Sequence, residues 1–500
     1  MRRFWSWGDN YSWGGGLVLM TTVITAFTYI VGPYFTDVTF LLIMNERILD
    51  GERMYIDVRD INPPFSVWLY FPYAALEKLT GFSAYIWLGL GLSAWLTLSL
   101  LFINLLMRDG LQISQSDRKR FLPFMAIFCV FLMPSQVAQR EHFCGLAALP
   151  FFFLLSARIK YHYQPKLWLA VSIGALAGTL LILKPHYALG FGLPIMYVAW
   201  RRQNWRYLFL LEAWMIAVMV IGYWLVAYIS VPAFFEHIVP IALDTYQVRV
   251  RKLPIDLISY FLLFLVPALL LVWLLRILGV IPVTVQVLAI ASFGFSIAYL
   301  VQGKGWSYHM MPALLCLVAA YFYAFQIAAS PDVGNSKLAR LKRFSYAFVL
   351  YIWPATTIVV FPAIPPSAVV EFKANPSILF ITSNIGVSAP IVKALDAKWV
   401  DRDPSDIIAS NALYAASSQS PQHGEKLNRF VAYWIDFKLH LLETTQPDLI
   451  VFDWDDETWV PRILSEERFI NALQNYQKLA QAGDVTYYVR SDLVEDAPTN

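Results

Sequence analysis

The sequence predicts a polytopic α-helical membrane protein ending in a water-soluble α/β domain, and three observations lead there. Of its 500 residues, 58% are hydrophobic and only 15% charged, whereas soluble chains average about 45–50% apolar and about 25% charged. Apolar runs recur at close to the roughly 20 residues a helix needs to cross a bilayer. After Phe361 the composition changes abruptly, with Pro362, Pro365 and Pro366 marking a linker. The net charge of +3 is small and dispersed and does not suggest nucleic acid as a partner. Cys129, Cys144 and Cys316 all fall in apolar spans without a CxxC spacing, which predicts neither a disulfide framework nor a structural zinc site.

About eleven spans are expected on length and hydropathy. They lie near 16 to 36, 82 to 106, 121 to 135, 143 to 157, 167 to 183, 187 to 200, 207 to 230, 257 to 278, 281 to 301, 310 to 329 and 345 to 361. The first follows Met1-Arg2-Arg3 and lacks a convincing cleavage site, so it reads as a retained helix rather than a signal peptide. Basic residues set the orientation, because cytoplasmic loops collect Lys and Arg. With the N-terminus inside, the inner loops hold Arg108 and Arg118 to Arg120, then Arg158, Lys160 and Lys166, then Arg201, Arg202 and Arg206, then Lys337, Arg340, Lys342 and Arg343. The short outer loops hold only Arg140, Lys184 and Lys304.

Two outer segments are longer. Asp37 to about Gly81 carries apolar residues at helical spacing (Val38, Leu41, Leu42, Met44, Ile48), a turn at Asp50-Gly51, and a second amphipathic stretch, Phe65 to Leu79, opened by Pro63-Pro64. Both stretches are expected to lie in the membrane interface. Pro232 to Asp256 is another amphipathic piece ending in Arg249, Arg251 and Lys252, suited to phosphate or to lipid head groups.

The two expected domains are therefore 1–361, membrane-embedded, and 362–500, α/β and outside the cytoplasm. In the second, Ile378-Leu379-Phe380-Ile381 and Leu449-Ile450-Val451-Phe452 read as buried parallel strands, Glu467 to Ala482 as a helix, and Val485 to Val489 as a further strand. Ser383-Asn384-Ile385-Gly386 is a strand-to-helix turn without a phosphate-binding glycine pattern. Asp453, Asp455, Asp456 and Glu457 read either as a solvated loop or as a cation or sugar contact.

Four polar islands interrupt the apolar pattern at span ends that the topology places on the outer face. They are Asp37, Gln139-Arg140-Glu141-His142, Lys184-Pro185-His186 and the stretch from Gln302 to His309. A charge at such a depth is costly unless it is paired or used, and the expectation is one active site built from all four. Asp37 reads as a general base or as a helix N-cap. Glu141, beside Arg140 and His142 in a short loop, reads as a site acid or as part of an ion pair. Lys184 and His186 flank a rigid proline, and Lys304 lies between two glycines; each lysine reads as a phosphate contact or as a side chain snorkelling to lipid. Trp306 and Tyr308 can stack on a sugar, with His309 beside them. Glycosyl transfer from a lipid phosphate would use such a set: a base takes the acceptor's proton and cations stabilise the departing phosphate. That chemistry requires no cofactor, though it leaves room for a divalent cation.

The pattern resembles the membrane-embedded GT-C glycosyltransferases, in particular the family 39 or protein-mannosyltransferase-like branch that includes the lipid A aminoarabinose transferases. Asp37 past the first span, the segment Leu49 to Tyr55, the segment Asp57-Val58-Arg59-Asp60-Ile61-Asn62-Pro63-Pro64, and Glu141 carry the resemblance. It implies catalytic roles for Asp37 and Glu141, with Arg59 and Asp60 among the substrate-binding residues. The implied donor is a polyprenyl-phosphate sugar and the acceptor an envelope glycan, lipid or protein, at a bacterial inner membrane. Many relatives have Lys before the Pro-Pro pair where this chain has Asn62, so Arg59, Lys184 or Lys304 would take over the phosphate contact. Two other readings compete: a transporter or flippase of lipid-linked saccharide, against which the one-sided charges and missing repeats count, and a non-catalytic envelope assembly protein.

Overall fold

A computed structural model of the chain describes residues 12–249, 281–326 and 365–494, except 404 and 419–420, together with isolated helical positions between 258 and 276. The expected span near 345 to 361, the basic residues Arg251 and Lys252, and the basic stretch from Lys337 to Arg343 lie outside the described residues. The chain divides into two compact units. The first comprises Met1–Tyr29, Tyr85–Val226 and Lys252–Val359; the second comprises Ile30–Ala84, Ala227–Arg251 and Val360–Asn500.

The helices in chain order are α1 Ser12–Val31, α2 Thr36–Leu49, α3 Pro64–Trp68, α4 Phe71–Thr80, α5 Ala84–Leu105, α6 Gln115–Phe131, α7 Arg140–Tyr161, α8 Leu167–Leu183, α9 Ala188–Arg201, α10 Leu211–Ser230, α11 Val239–Arg249, α12 Val283–Gln302 and α13 Met311–Gln326. Among the described residues, 6 stretches are long and apolar enough to cross a membrane: Gly15–Tyr34, Ala84–Gly110, Arg140–Tyr161, Trp205–Ser230, Val283–Gln302 and Ser307–Ala324. Three further predicted spans are the shorter helices α6, α8 and α9.

In the first unit α7 is the hub. It is apolar around its whole circumference, and such a helix is buried on all sides; nearly every residue of α7 is shielded, and α8, α9, α12 and α13 pack against it. The expected span 143 to 157 is extended at both ends, because the polar island Arg140-Glu141-His142 forms the helix's first turn rather than a loop. Likewise α6 starts six residues before its apolar run, where the Ser114 side chain accepts from the Asp117 amide (3.2 Å) and caps the polar first turn. Gly174 and Gly178 let α8 and α10 touch: a Cβ at Gly174 would lie 2.5 Å from the Glu212 carbonyl oxygen, and one at Gly178 would lie 2.8 Å from Met219 Cβ. A buried bidentate pair joins α7 to α10, in which Arg158 Nε and a terminal guanidinium nitrogen donate to Glu212 at 2.7 and 2.9 Å. Outward, α10 exposes Trp214, Ile221 and Ile229, as a lipid-facing helix would.

The second unit joins Ile30–Ala84 and Ala227–Arg251 to the α/β fold. Its later helices are α14 Ile385–Ala394, α15 Ile407–Ser418, α16 Pro421–Thr445, α17 Trp459–Leu464 and α18 Glu467–Leu473. Strands β1 Ser377–Ile381, β2 Lys398–Trp399, β3 Leu449–Asp453, β4 Tyr476–Ala482 and β5 Val485–Arg490 form one sheet in the order β2-β1-β3-β5-β4. The expected parallel pair is β1 with β3, Ile378 opposite Leu449 and Ile381 opposite Phe452. Both strands are near-continuous apolar runs because both faces are covered. Trp434, Ile435 and Leu439 of α16, with Trp459 of α17, pack in the core beside Leu379, Ile381, Ile450 and Phe452.

Two readings are corrected here. The expected helix from Glu467 to Ala482 stops at Leu473, and its second half is β4, paired antiparallel with β5. The reason is the two-residue Gly483-Asp484 turn between Ala482 and Val485: Gly483 takes φ 58, the positive value a tight hairpin needs, and pairing overrides the helix propensity of Gln, Lys and Leu. The amphipathic stretch Phe65 to Leu79 is two helices, α3 and α4, broken ahead of Pro72, which stands in the first turn of α4.

Candidate active site

In the first unit three of the polar islands converge on Glu141. Its side chain is fully buried in the first turn of α7, and its Oε1 accepts a short hydrogen bond from Lys184 Nζ. Lys184 closes α8 in an extended conformation, just before the single 3-10 turn Pro185–Tyr187 that turns the chain into α9. His309 Nε2 lies 3.8 Å from the same carboxylate oxygen. The Tyr187 hydroxyl donates to the His309 carbonyl (3.0 Å), joining the α8–α9 corner to the turn that opens α13.

Aromatic rings frame these groups. Lys184 Nζ lies 5.2 Å from the centre of the Tyr308 ring. Tyr308 stacks on Trp306 at 6.0 Å and meets His309 edge-on at 4.4 Å. The two aromatics expected to receive a sugar therefore use one face on each other, and Tyr308 also carries the lysine. Lys304 is buried between Gly303 and Gly305, whose φ values of 67 and 72 are the left-handed conformation that glycine adopts without strain. Lys184, Arg140, His186 and Lys304 all stand close enough to His309 to act on it electrostatically.

The arrangement leaves polar capacity unspent. Glu141 Oε2, both ring nitrogens of His309, Gln139 Oε1 and Gln302 Oε1 are buried without a hydrogen-bond partner. Buried polar atoms are normally satisfied, so this set suits a polar ligand. His142, expected in the same role, is spent on the backbone instead. Its Nδ1 accepts from the Ala138 amide (3.2 Å), which makes Nε2 the protonated nitrogen that donates to the Cys129 carbonyl (2.6 Å). Three residues not expected in the site join it: Gln139 and Gln302 open two of the islands, and Tyr187 directly follows the third.

Asp37, Arg59 and Asp60 belong to the second unit. Asp37 is half-buried in the first turn of α2, whose N-cap position is occupied by Phe35, so of the two readings of Asp37, base or N-cap, the N-cap does not hold. The Arg59 amide donates to the Arg402 carbonyl (2.7 Å), and its guanidinium lies 5.7 Å from the Trp434 ring centre. Asp60 is buried and accepts from Asn62 Nδ2 at 3.0 and 3.1 Å. Arg53 donates twice to Asp57, whose carboxyl is thereby held down at about 2.

The acidic stretch at the end of β3 is solvated only in part: Asp455 and Glu457 are exposed, whereas Asp453 and Asp456 are buried. Asp453 accepts from Thr382 Oγ1 and Asp456 from the Ser383 amide, both at 2.8 Å, closing the ends of β1 and β3. Burial raises the Asp453 carboxyl. A second acidic group that went unread surrounds Lys438, which is buried against Asp401 and Asp406 and donates to the Phe380 carbonyl (2.9 Å). Nearby Asp403 is fully buried with neither oxygen bonded; burial, then the charge of Asp401, pushes its carboxyl up to about 8. Among the described residues no three His, Cys, Asp or Glu side chains converge as a metal site.

No family model and no curated protein matches the chain. Solved structures do. ArnT from Cupriavidus metallidurans, crystallised with undecaprenyl phosphate, aligns over 98% of this chain and 100% of its own with a TM-score of 0.55 at 12% identity. The apo form of the same protein aligns over the same shares with a TM-score of 0.53. An oligosaccharyltransferase from Archaeoglobus fulgidus, solved with zinc and sulfate, aligns over 97% of this chain and 74% of its own, with a TM-score of 0.39 at 13% identity. By its likeness to the two ArnT structures the chain has a GT-C-type fold, matched over 98% of its length and so over both units.

Proposed function

We propose that the protein transfers a sugar from a polyprenyl-phosphate donor to an envelope acceptor at the outer face of the membrane. One observation carries the reading: Lys184 donates to the buried carboxylate of Glu141, and His309, which faces the same carboxylate, has Arg140, Lys184 and Lys304 close enough to act on it, so cationic groups collect at a site where water is scarce. Such a place favours a phosphate, and favours it more as the glycosidic bond breaks and the phosphate gains charge. The ArnT structure with bound undecaprenyl phosphate supports a donor of that class.

In this mechanism the acceptor hydroxyl attacks the anomeric carbon and the electron pair of the breaking C–O bond leaves with the phosphate. The acceptor's proton passes to a carboxylate, the role assigned to Asp37, and the configuration inverts. Glu141 holds Lys184 in place, while its second oxygen and His309 are available to the sugar hydroxyls. Lys304 supplies a compact charge to the leaving oxygens. A divalent cation is not needed for any of these steps. The C-terminal domain is assigned to the outer side, as the charge asymmetry of the loops indicates.

The test is turnover by the purified full chain with a panel of short-chain polyprenyl-phosphate sugars, read as release of the polyprenyl phosphate together with a glycosylated acceptor. Transport of a lipid-linked saccharide in vesicles with no release from any donor would replace this reading with that of a flippase.

A further inference from the structure

The α/β domain grips the helix that carries Asp37. Along one side of α2, Thr36, Phe40 and Arg47 recur at helical spacing, and each meets the domain. Thr36 Oγ1 lies 3.8 Å from where a Cβ on Gly386 of α14 would stand, and the Phe40 ring meets Trp399 of β2 edge-on at 6.3 Å. Arg47 donates to the Asp401 carbonyl (2.6 Å) while its Nε holds Glu52 (2.8 Å), so one guanidinium ties the domain to the turn after α2. At the end of α14, Lys393 Nζ pairs with Glu46 of α2 (2.9 Å) and approaches Glu77 of α4 (3.8 Å), joining three elements. The Asp401 end of this grip is anchored in turn by buried Lys438.

We propose that the α/β domain is a positioning platform for α2 and that Lys393 is the positioning residue that holds Asp37 in register for proton abstraction. The proposal rests on the transferase reading given above. A base acts only when its oxygen is within hydrogen-bond reach of the proton it takes, so a small rotation or slide of α2 lowers the rate without changing how the donor is held. A bare surface lysine would do nothing of the kind, and one that was merely structural would affect melting alone.

Two measurements on the full-length protein test it. Kinetics compare wild type with Lys393→Met and Lys393→Arg. For Lys393→Met, kcat falls about tenfold or more with the donor KM within about twofold, and Lys393→Arg, which keeps the charge, recovers most of the rate. Independently of activity, a cysteine introduced by Asp37→Cys is labelled with an impermeant maleimide. The natural cysteines are buried, and the labelling rate rises several-fold when Lys393→Met is added. Unchanged kcat in Lys393→Met, or unchanged labelling, overturns the proposal. If Lys393→Met does not accumulate as folded protein, Glu46→Ala decides by the same two criteria, since it leaves Lys393 its second acid. Should wild type prove inactive with every donor, the transferase reading fails. The labelling rates then decide the positioning role of the domain by themselves: a rise upholds it and no change removes it.

Discussion

Replacing Lys184 by Met separates a site role from a packing role more sharply than any other single change. Glu141 is fully buried and takes a short hydrogen bond from Lys184, while its other oxygen has no partner. Removing one member of a buried pair leaves an uncompensated charge and costs about 3–5 kcal/mol. His309 at 3.8 Å offers the carboxylate a partial substitute, so the lower end of that range is expected. Lys184→Met should therefore lower the melting temperature of the detergent-solubilised chain by several degrees and reduce donor turnover by about a hundredfold or more, the scale of losing one preorganised electrostatic contact. Adding Glu141→Gln removes the stranded charge. The double variant should regain most of the lost melting temperature, since a neutral replacement of a buried pair is often tolerated, yet remain inactive. Melting and turnover measured on the two single variants and the double variant complete the cycle. Recovery of turnover along with melting would refute the argument, because it would make the pair a structural tie with no part in handling the donor.

Three further outcomes are expected. Asp37→Asn should cut turnover by at least about a hundredfold with melting unchanged, as loss of a positioned base does; near-normal turnover would remove Asp37 from the mechanism. Glu212→Gln leaves the Arg158 guanidinium buried beside a neutral group and should destabilise the chain by about 3 kcal/mol, while activity per folded molecule is kept; a selective loss of kcat would show that this remote pair does more than join α7 to α10. Asp403 ionises at about 8 in the fold against an ordinary 3.8. Its contribution to stability is thus fully present below about pH 4 and is lost as the pH rises to 8, at up to about 1.4 kcal/mol per pH unit. Asp403→Asn should flatten the decline of melting temperature across that window, and parallel melting profiles for the two proteins would show that Asp403 does not titrate there.

The apolar runs, the polar residues at their ends and the buried strands of the α/β fold were legible in the sequence, because each reports the surroundings of its own element. A bilayer demands about 20 apolar residues wherever a helix crosses it, and a strand covered on both faces must be apolar throughout, as Ile378 to Ile381 and Leu449 to Phe452 are. Pairing across elements is a different kind of information. Nothing in the islands distinguishes His142 from His309, yet one is consumed by the Ala138 amide and the Cys129 carbonyl while the other faces Glu141. The difference depends on how α6, α7 and α13 pack, which no local pattern encodes. The same holds for Lys184, whose choice between lipid phosphate and Glu141 is made by the corner that brings residues 43 apart in sequence together. Asp401 and Asp406 carry no signal in the sequence that marks them as buried, and it is Lys438, arriving from α16, that pairs with both. Gln477 to Ala482 could join a helix as readily as a strand, and the hairpin partner β5 decided it. Residue type and spacing therefore determined which groups would be costly to leave unpaired, and the tertiary structure decided their partners, because a buried charge is stabilised only by whatever the fold brings within a few ångströms of it.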